Sequence, residues 1–387
     1  MIDSLLNAVR RNPYPVYRVL RRVAPVLRHP RLDLWMLFDH ESVKRAMQDH
    51  DAFSSRAAPP GGGALDWLIF QDPPVHTRLR GLIARTFTPR AIARLEPAIA
   101  AAADALLENV SARGELELMA EFAVPLPLLV IGELLGVSRD DHPALRRWSE
   151  AILQLGDAVH GGDRAARAMA SYRAAKAEME PYVARLIAER RIAPRADLLT
   201  RLAEAELEGS RLGDLDILNF FQLLLLAGTE TTSNLIGNAV ISFLEAPAQL
   251  QRVREAPELL PAALEEVLRY RAPLQLIFRQ TVREVQVRGK TIPAGKLVLA
   301  MVGSANRDGE QFTDPERFNI HREPTPHLAF GHGMHFCIGA ALARIEARVA
   351  MEALLRLPRG FRLARTRWEP QHALSVYGPK RLHIRFD

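Results

Sequence analysis

Residues 330–339 read FGHGMHFCIG and hold the only cysteine among 387 residues, set among three glycines and followed by an apolar, helix-like run. A thiolate is a soft ligand for iron, and it must lose its proton before it binds. With Cys337 just ahead of the run 338–355, the N-terminus of that helix brings free N–H groups and partial positive charge near the sulfur. Gly331, Gly333 and Gly339 carry no side chain, so the backbone can pass close to a flat ligand and turn sharply beneath it. A buried structural thiol is the bland alternative. A second constellation, AGTETT at 227–232, interrupts a strongly apolar helix with Gly228, Glu230 and Thr231. The Thr231 hydroxyl lies one turn beyond the Ala227 carbonyl, where it can compete for the backbone bond and open a local groove large enough for dioxygen. Taken alone, the same residues could mark only a helix kink.

Two further pairs and one lone arginine could carry charge-based chemistry. In HTRLR, His76 and Arg80 stand at i and i+4 on one helical face, where two donors reach the same carboxylate. In EEVLRY, Glu266 and Arg269 share a face at i and i+3; an exposed ion pair of that kind contributes only a few tenths of a kcal/mol. In IFRQT, Arg279 sits between apolar residues just before strand-like sequence.

The elements that must position these groups are mostly helical. Apolar residues recur at three- and four-residue spacing over 91–110, 145–154, 165–190, 216–244, 261–270 and 340–355, with Pro257, Pro273 and Pro358 as punctuation. Strand patterns are fewer and late: VQVRG, KLVLAMV and RLHIRF. The fold class is therefore mainly α with small β-sheets, and no internal repeat divides it. RAAPPGGGALDWLIF at 56–70 joins three glycines to an apolar cluster and predicts a mobile cover over something apolar. The connection 309–333 has almost no periodicity, and loops of that length in a compact protein are usually functional.

Composition narrows the class. Hydrophobic residues make up 48% and charged residues 25%, enough for a large core. One cysteine cannot form an internal disulfide, and 1–22 lacks the apolar core of a secretory signal, so a reducing cytoplasm is expected. The apolar segment 216–244 is broken by Gln222 and Glu230 and reads as a buried helix; no membrane anchor is expected. The net charge of +6 comes from 46 arginines against five lysines. They are scattered among acids without an aromatic run, so no nucleic-acid partner is expected.

Phe330, Gly331, Gly333, His335, Cys337 and Gly339 match the haem-binding loop of the cytochrome P450 family, and the stretch resembles the loop in which that family holds haem iron by a cysteine thiolate. Family-like segments run from about residue 70 to 350, among them ANRD at 305–308 and LAR at 342–344. The resemblance implies the cytochrome P450 fold as a single domain over 1–387, with haem b (iron protoporphyrin IX) as cofactor and Cys337 as its metal ligand. It implies that His76, Arg80, Arg279 and His335 meet the haem propionates, with Phe330, Gly331, Gly339, Ala227 and Gly228 also beside the cofactor. Two buried propionates without cations would be costly, so the four basic groups make sense as a set. Glu230 and Thr231 correspond to the family's acid and alcohol, whose implied task is to relay protons towards dioxygen. Glu266 and Arg269 match its E-x-x-R pair, with Arg317 completing a structural charge network.

The implied activity is a monooxygenase that hydroxylates or epoxidises a mid-sized hydrophobic substrate with O2. Electrons would come from a ferredoxin or flavodoxin-like partner with its reductase, and Arg344 and Arg348 would suit docking of an acidic donor. A peroxide-driven or isomerising haem-thiolate enzyme would not need Thr231, and a non-catalytic haem sensor would not need a proton relay. The loop 60–70, Leu226 and Ala227, PLQLIF at 273–278 and SVYG at 375–378 are the expected pocket segments.

Overall fold

Five of the six expected helical runs each fold as one helix, while 91–110 divides at a turn between Pro89–Ala93 and Glu96–Leu107, in a computed structural model that describes residues 9–30, 32–56, 66–108, 110–155, 162–207, 209–357, 360–364 and 367–386. In chain order the helices that matter for the site are α1 (Tyr14–Val23), α2 (His40–Gln48), α3 (Val75–Ala84), α4 (Glu96–Leu107), α5 (Pro125–Leu135), α6 (His142–Leu153), α7 (Gly162–Ile192), α8 (Asp214–Glu245), α9 (Leu260–Tyr270) and α10 (Ala340–Arg356). Among the described residues no helix is long and apolar enough to cross a membrane.

Helix α8 is the axis of the fold. It starts where the Asp216 carboxylate accepts the Gly213 N–H at 3.0 Å, with Asp214 and Asp216 placing negative charge on the first turn. It ends at Glu245, just before Pro247 opens the next helix. Apolar side chains on nearly all its faces are buried, including Phe221, Leu225, Ile236 and Phe243, and it packs against α5, α6, α9 and α10. A helix apolar all round belongs inside a protein.

The β region is a five-stranded sheet in the order β1 (Val26–Arg28), β2 (Leu34–Leu37), β5 (Leu297–Ala300), β4 (Ile277–Thr281), β3 (Phe53–Ser54). β5 pairs parallel to β2, with Val298 opposite Trp35, and antiparallel to β4, with Val298 opposite Arg279. Arg279 therefore lies within a strand and not just before one. The late patterns VQVRG and RLHIRF form the short strands Val285–Val287 and His383–Phe386, as expected. The sheet strands at 26–37 were not legible because VLR and LWML, unlike VQV, show no alternation of apolar and polar residues.

The Glu266–Arg269 pair is buried, not solvated. The Arg269 Nε and Nη2 atoms donate to the two Glu266 carboxylate oxygens at 2.7 and 2.8 Å, while Arg269 Nη1 reaches the carbonyls of Asn306 and Pro315 at 2.9 Å each. Arg317 does not complete the network with its side chain: it offers only its carbonyl to Arg269 at 3.2 Å. The completing cation is Arg322, whose Nε donates to Glu266 at 3.0 Å. The long connection 309–333 is thus clamped to α9 through the Pro315 and Arg317 carbonyls and the Arg322 side chain, an outcome that depends on how the loop folds. Arg269→Ala is expected to cost about 3–5 kcal/mol in urea unfolding, the loss typical when one partner of a buried pair is removed.

Candidate active site

The cysteine loop is built from two tight turns. Gly331 (φ +76°) and Gly333 (φ +71°) occupy the left-handed region, which side-chain-bearing residues avoid. A Cβ on Gly333 would also come within 3.3 Å of the Gln48 Cα and Met47 carbonyl, so the loop sits directly on the end of α2. The Cys337 N–H donates to the Phe330 carbonyl at 2.8 Å and closes the loop. Gly339 is the residue before α10, with ordinary helical-side backbone (φ −87°), so its turn does not demand glycine. Its amide instead hydrogen-bonds the Cys337 sulfur. Phe330 is buried and carries the Arg344 guanidinium 4.5 Å above its ring.

Cys337 is half-buried and free. Burial pushes its thiol up from the usual range, against the opposing pull of the Gly339 N–H and of the charges on Arg80 and Arg344. The helix terminus is present as expected and Arg80 and Arg344 add positive charge, but by themselves they do not make a thiolate here. A metal at the sulfur would supply the missing charge, because a coordinating thiol is deprotonated by the ion itself.

Around this loop the fold gathers basic groups from distant parts of the chain. The rings of His76, on α3, and His335 lie 4.2 Å apart between centroids. Arg80, one turn along α3, donates to the Phe336 carbonyl at 2.6 Å. Arg279 is buried within β4, and its one side-chain hydrogen bond among the described residues goes to the carbonyl of its neighbour Phe278 at 2.8 Å. Burial holds His76 down at about 4, helped by the charge on Arg80. Burial and the nearby Arg279 and His76 hold His335 down at about 3, and burial brings Arg279 down to about 10. Both ring nitrogens of His76 are buried without a hydrogen-bond partner. A neutral imidazole has one N–H to donate; a buried donor left unpaired is rare, and a buried anion would satisfy it and favour protonation of the second nitrogen. The group therefore fits the carboxylates of a propionate-bearing cofactor.

Two residues of this cluster were not anticipated. Asp72 accepts the Ser55 N–H at 2.8 Å and the Ser54 hydroxyl, and Ser55 Oγ lies 2.9 Å from His335 Nε2. Asp72 also favours the charged forms of His76 and Arg279. The signal available was Asp72 one turn before His76, its carbonyl accepting the His76 N–H at 2.9 Å.

On α8 the Thr231 hydroxyl donates to the Ala227 carbonyl at 2.6 Å, as the spacing predicts. Helix α8 nevertheless runs unbroken from Asp214 to Glu245, so the expected interruption is confined to a hydroxyl bond. Ala227 is exposed beside fully buried Leu225, which marks a hollow along this turn. At Gly228 a Cβ would stand 2.8 Å from Ile131 Cδ1, so the missing side chain lets α5 pack closely here. Glu230 is half-buried with no hydrogen-bond or ion-pair partner among the described residues, and burial pushes its carboxyl up to about 7.

That shift makes a pH prediction. Folded Glu230 holds its proton more tightly than the unfolded chain, whose carboxyl titrates near 4.5. Stability at this site is therefore fully present below about pH 4.5 and falls as pH rises towards 7, by at most about 1.4 kcal/mol per pH unit. Glu230→Gln removes the titration, so thermal melts of variant and wild type should coincide near pH 4.5 and separate by pH 8, the variant melting higher.

Of the expected pocket segments, 57–65 lies outside the described residues, while Trp67 and Leu68 beside it are buried. The segments at 273–278 and 375–378 meet: Gln275 donates to the Ser375 carbonyl at 2.8 Å and Tyr377 to that of Pro273 at 2.7 Å. Tyr377 itself is engaged elsewhere, its hydroxyl on the Arg11 carbonyl at 2.8 Å. Arg344 and Arg348, expected to be available to an acidic partner, are paired instead. Arg344 binds both oxygens of Glu265 at 2.7 and 3.0 Å, and Arg348 binds Glu96 at 2.7 Å and Glu352 at 2.9 Å.

Residues 165–364 match the family model described as Cytochrome P450, a span that holds Glu230, Thr231 and Cys337. The chain is 41% identical over 377 residues to Cytochrome P450 107B1 of Saccharopolyspora erythraea, covering 92% of this chain and 89% of that protein. It is 38% identical over 376 residues to the Cyclomarin C epoxidase CymV of Salinispora arenicola, covering 95% and 94%. Among solved structures, CYP109E1 of Bacillus megaterium in complex with corticosterone superposes with a TM-score of 0.90 at 37% identity, covering 97% of this chain and 99% of that one.

Proposed function

The chain belongs to the cytochrome P450 family, a haem-thiolate oxidoreductase family whose bacterial monooxygenases use O2 and redox partners, and from that premise we propose that Cys337 is the residue that binds the iron. The observation that carries this reading is the juxtaposition of the described chain's one thiol with four basic groups, one of which has two buried, unpartnered ring nitrogens. His76, Arg80, Arg279 and His335 hold the propionates, and Ala227 borders the cofactor face beside Thr231. When bound, the haem supplies the activation of O2, with the thiolate as an electron-rich ligand.

This chain's own residues manage position, water and protons. Helices α8 and α10 hold the acid–alcohol turn and the cysteine loop within one apolar cluster, which limits water at the site. The Thr231 hydrogen is committed to the Ala227 carbonyl, so its oxygen is free to accept a hydrogen bond at the hollow. Glu230, with a carboxyl poised near neutral pH, can hold a proton and release it there.

The substrate proposed is a mid-sized hydrophobic molecule, hydroxylated or epoxidised. Supporting it are the apolar segments around Leu226 and 273–278, and the corticosterone in the CYP109E1 structure. The electron donor proposed is a small ferredoxin or flavodoxin-like protein, and the compartment a reducing cytoplasm, which suits a lone thiol. One P450 domain spanning 1–387 is part of the same reading. Optical titration of the purified ferric protein tests it: terpenoids, steroids, fatty acids or polyketides should shift the iron spin state. A shift produced only by small charged acids would sink the substrate proposal.

A further inference from the structure

From residue 4 to residue 32 the chain carries seven arginines and not one aspartate or glutamate, in a protein whose overall charge is only +6. Helix α1 lies in this stretch, and its outward face is apolar: Val16, Val19 and Val23 are 43%, 56% and 70% exposed. At about 100° per residue these three valines fall within one arc of roughly 60°. Arg18 and Arg22 are exposed along one flank of that arc, with no hydrogen-bond or ion-pair partner among the described residues. Arg21, by contrast, turns inward to Ser304, Asp308 and Glu316, so the unpaired charge is confined to the outer face. The next acid along the chain, Asp33, is neutralised by Arg28 and Lys296.

The other flank is not polar either. It opens on an apolar groove of about 180 Å³, bordered by Pro13, Val16, Met36, Leu299 and Leu374, the last of which is 70% exposed. A surface-lying helix with an apolar crest, cations beside it and no acids is the arrangement that seats a protein on lipid headgroups. The arginines meet the anionic headgroups while the valines reach the acyl boundary. An acidic protein would satisfy the arginines but leave the valine crest and the groove beside it to be matched separately.

We propose that the outer face of α1, with Leu374 and the adjoining groove, docks this protein on an anionic lipid surface. The inference goes beyond the enzymatic reading and does not depend on the substrate, because binding to vesicles is read without turnover.

The experiment is co-sedimentation of the haem-loaded protein with vesicles of phosphatidylcholine, with and without phosphatidylglycerol. Wild type should pellet with the anionic vesicles only, and added salt should release it. Arg18→Gln and Arg22→Gln should each weaken binding roughly fivefold. Val19→Glu with Val23→Glu should abolish it. All four side chains are exposed, and unchanged circular dichroism and melting temperature will establish that the variants are folded. Failure of wild type to bind anionic vesicles, or binding that all these variants retain, overturns the proposal. If vesicles do not bind and Arg18→Gln/Arg22→Gln instead slows turnover with the electron donor, the face belongs to an acidic protein and the lipid proposal is equally overturned.

Discussion

Cys337→Ser is expected to give a folded protein that no longer yields the strongly red-shifted Soret band of a reduced, carbon-monoxide-treated haem-thiolate. The fold should survive because the loop is closed by the backbone bond from residue 337 to the Phe330 carbonyl and by the two left-handed glycines, none of which needs the sulfur. The ligand should not survive, because a serine hydroxyl is a hard donor with a far higher pKa than a thiol. Loss of even an outer partner of a metal ligand lowers affinity or activity roughly 10- to 100-fold, so loss of the ligand itself should exceed the upper figure. Monooxygenase turnover should fall to assay background. Melts of the haem-free proteins separate the two effects: wild type and variant should unfold together. A variant that keeps the red-shifted band would show that the iron is held elsewhere.

Thr231→Ala is expected to leave reductant consumption largely intact while lowering the yield of oxygenated product per electron pair by about 100-fold, with hydrogen peroxide accounting for the difference. That figure is the lower end of what a positioned proton-transfer group contributes. Stability should not fall, because alanine is the better helix former and the lost side-chain bond, Thr231 Oγ1 to Ala227 O, only doubled a backbone acceptor already inside the helix. Thr231→Ser keeps a hydroxyl at the same atom and should restore much of the coupling. Measuring peroxide and product together decides the matter. If Thr231→Ala couples as well as wild type, the hydroxyl has no part in proton delivery and Glu230 or water must suffice.

Both predictions concern residues that stand within short, contiguous motifs, and such residues were legible early. The FGHGMHFCIG loop needs glycines at 331 and 333 for its backbone, and the amide of residue 337 closes it onto Phe330; these demands are local and leave a mark in the order of residues. The hydroxyl of Thr231 meets the Ala227 carbonyl because four residues are about one helical turn, which is again a local rule. Mainly helical architecture was equally visible, since long amphipathic or apolar runs keep their period over many residues.

What depended on distant partners was misread or missed. Arg317 and Arg322 are equally plausible cations from sequence, yet the folded loop turns only Arg322 onto Glu266. Gly228 sits in a motif of apparent chemical purpose, and the motif gave no sign that a Cβ there would meet Ile131 of another helix at 2.8 Å. Arg344 and Arg348 read as free surface charge until Glu265, Glu96 and Glu352 arrive beside them. Asp72 and Ser55 entered the site only through the sheet and turns that bring them to His335.

The sequence by itself thus determined the turns of the cysteine loop, the Thr231–Ala227 contact and the helical class, because each is written in groups a few bonds or one turn apart. Tertiary structure alone decided which charges are paired, how far the Cys337 thiol and the Glu230 carboxyl are pushed up, and which exposed face is left with valines and unpaired arginines. Burial and electrostatic partnership are properties of the space around a group, and in this chain that space is filled by residues hundreds of positions away.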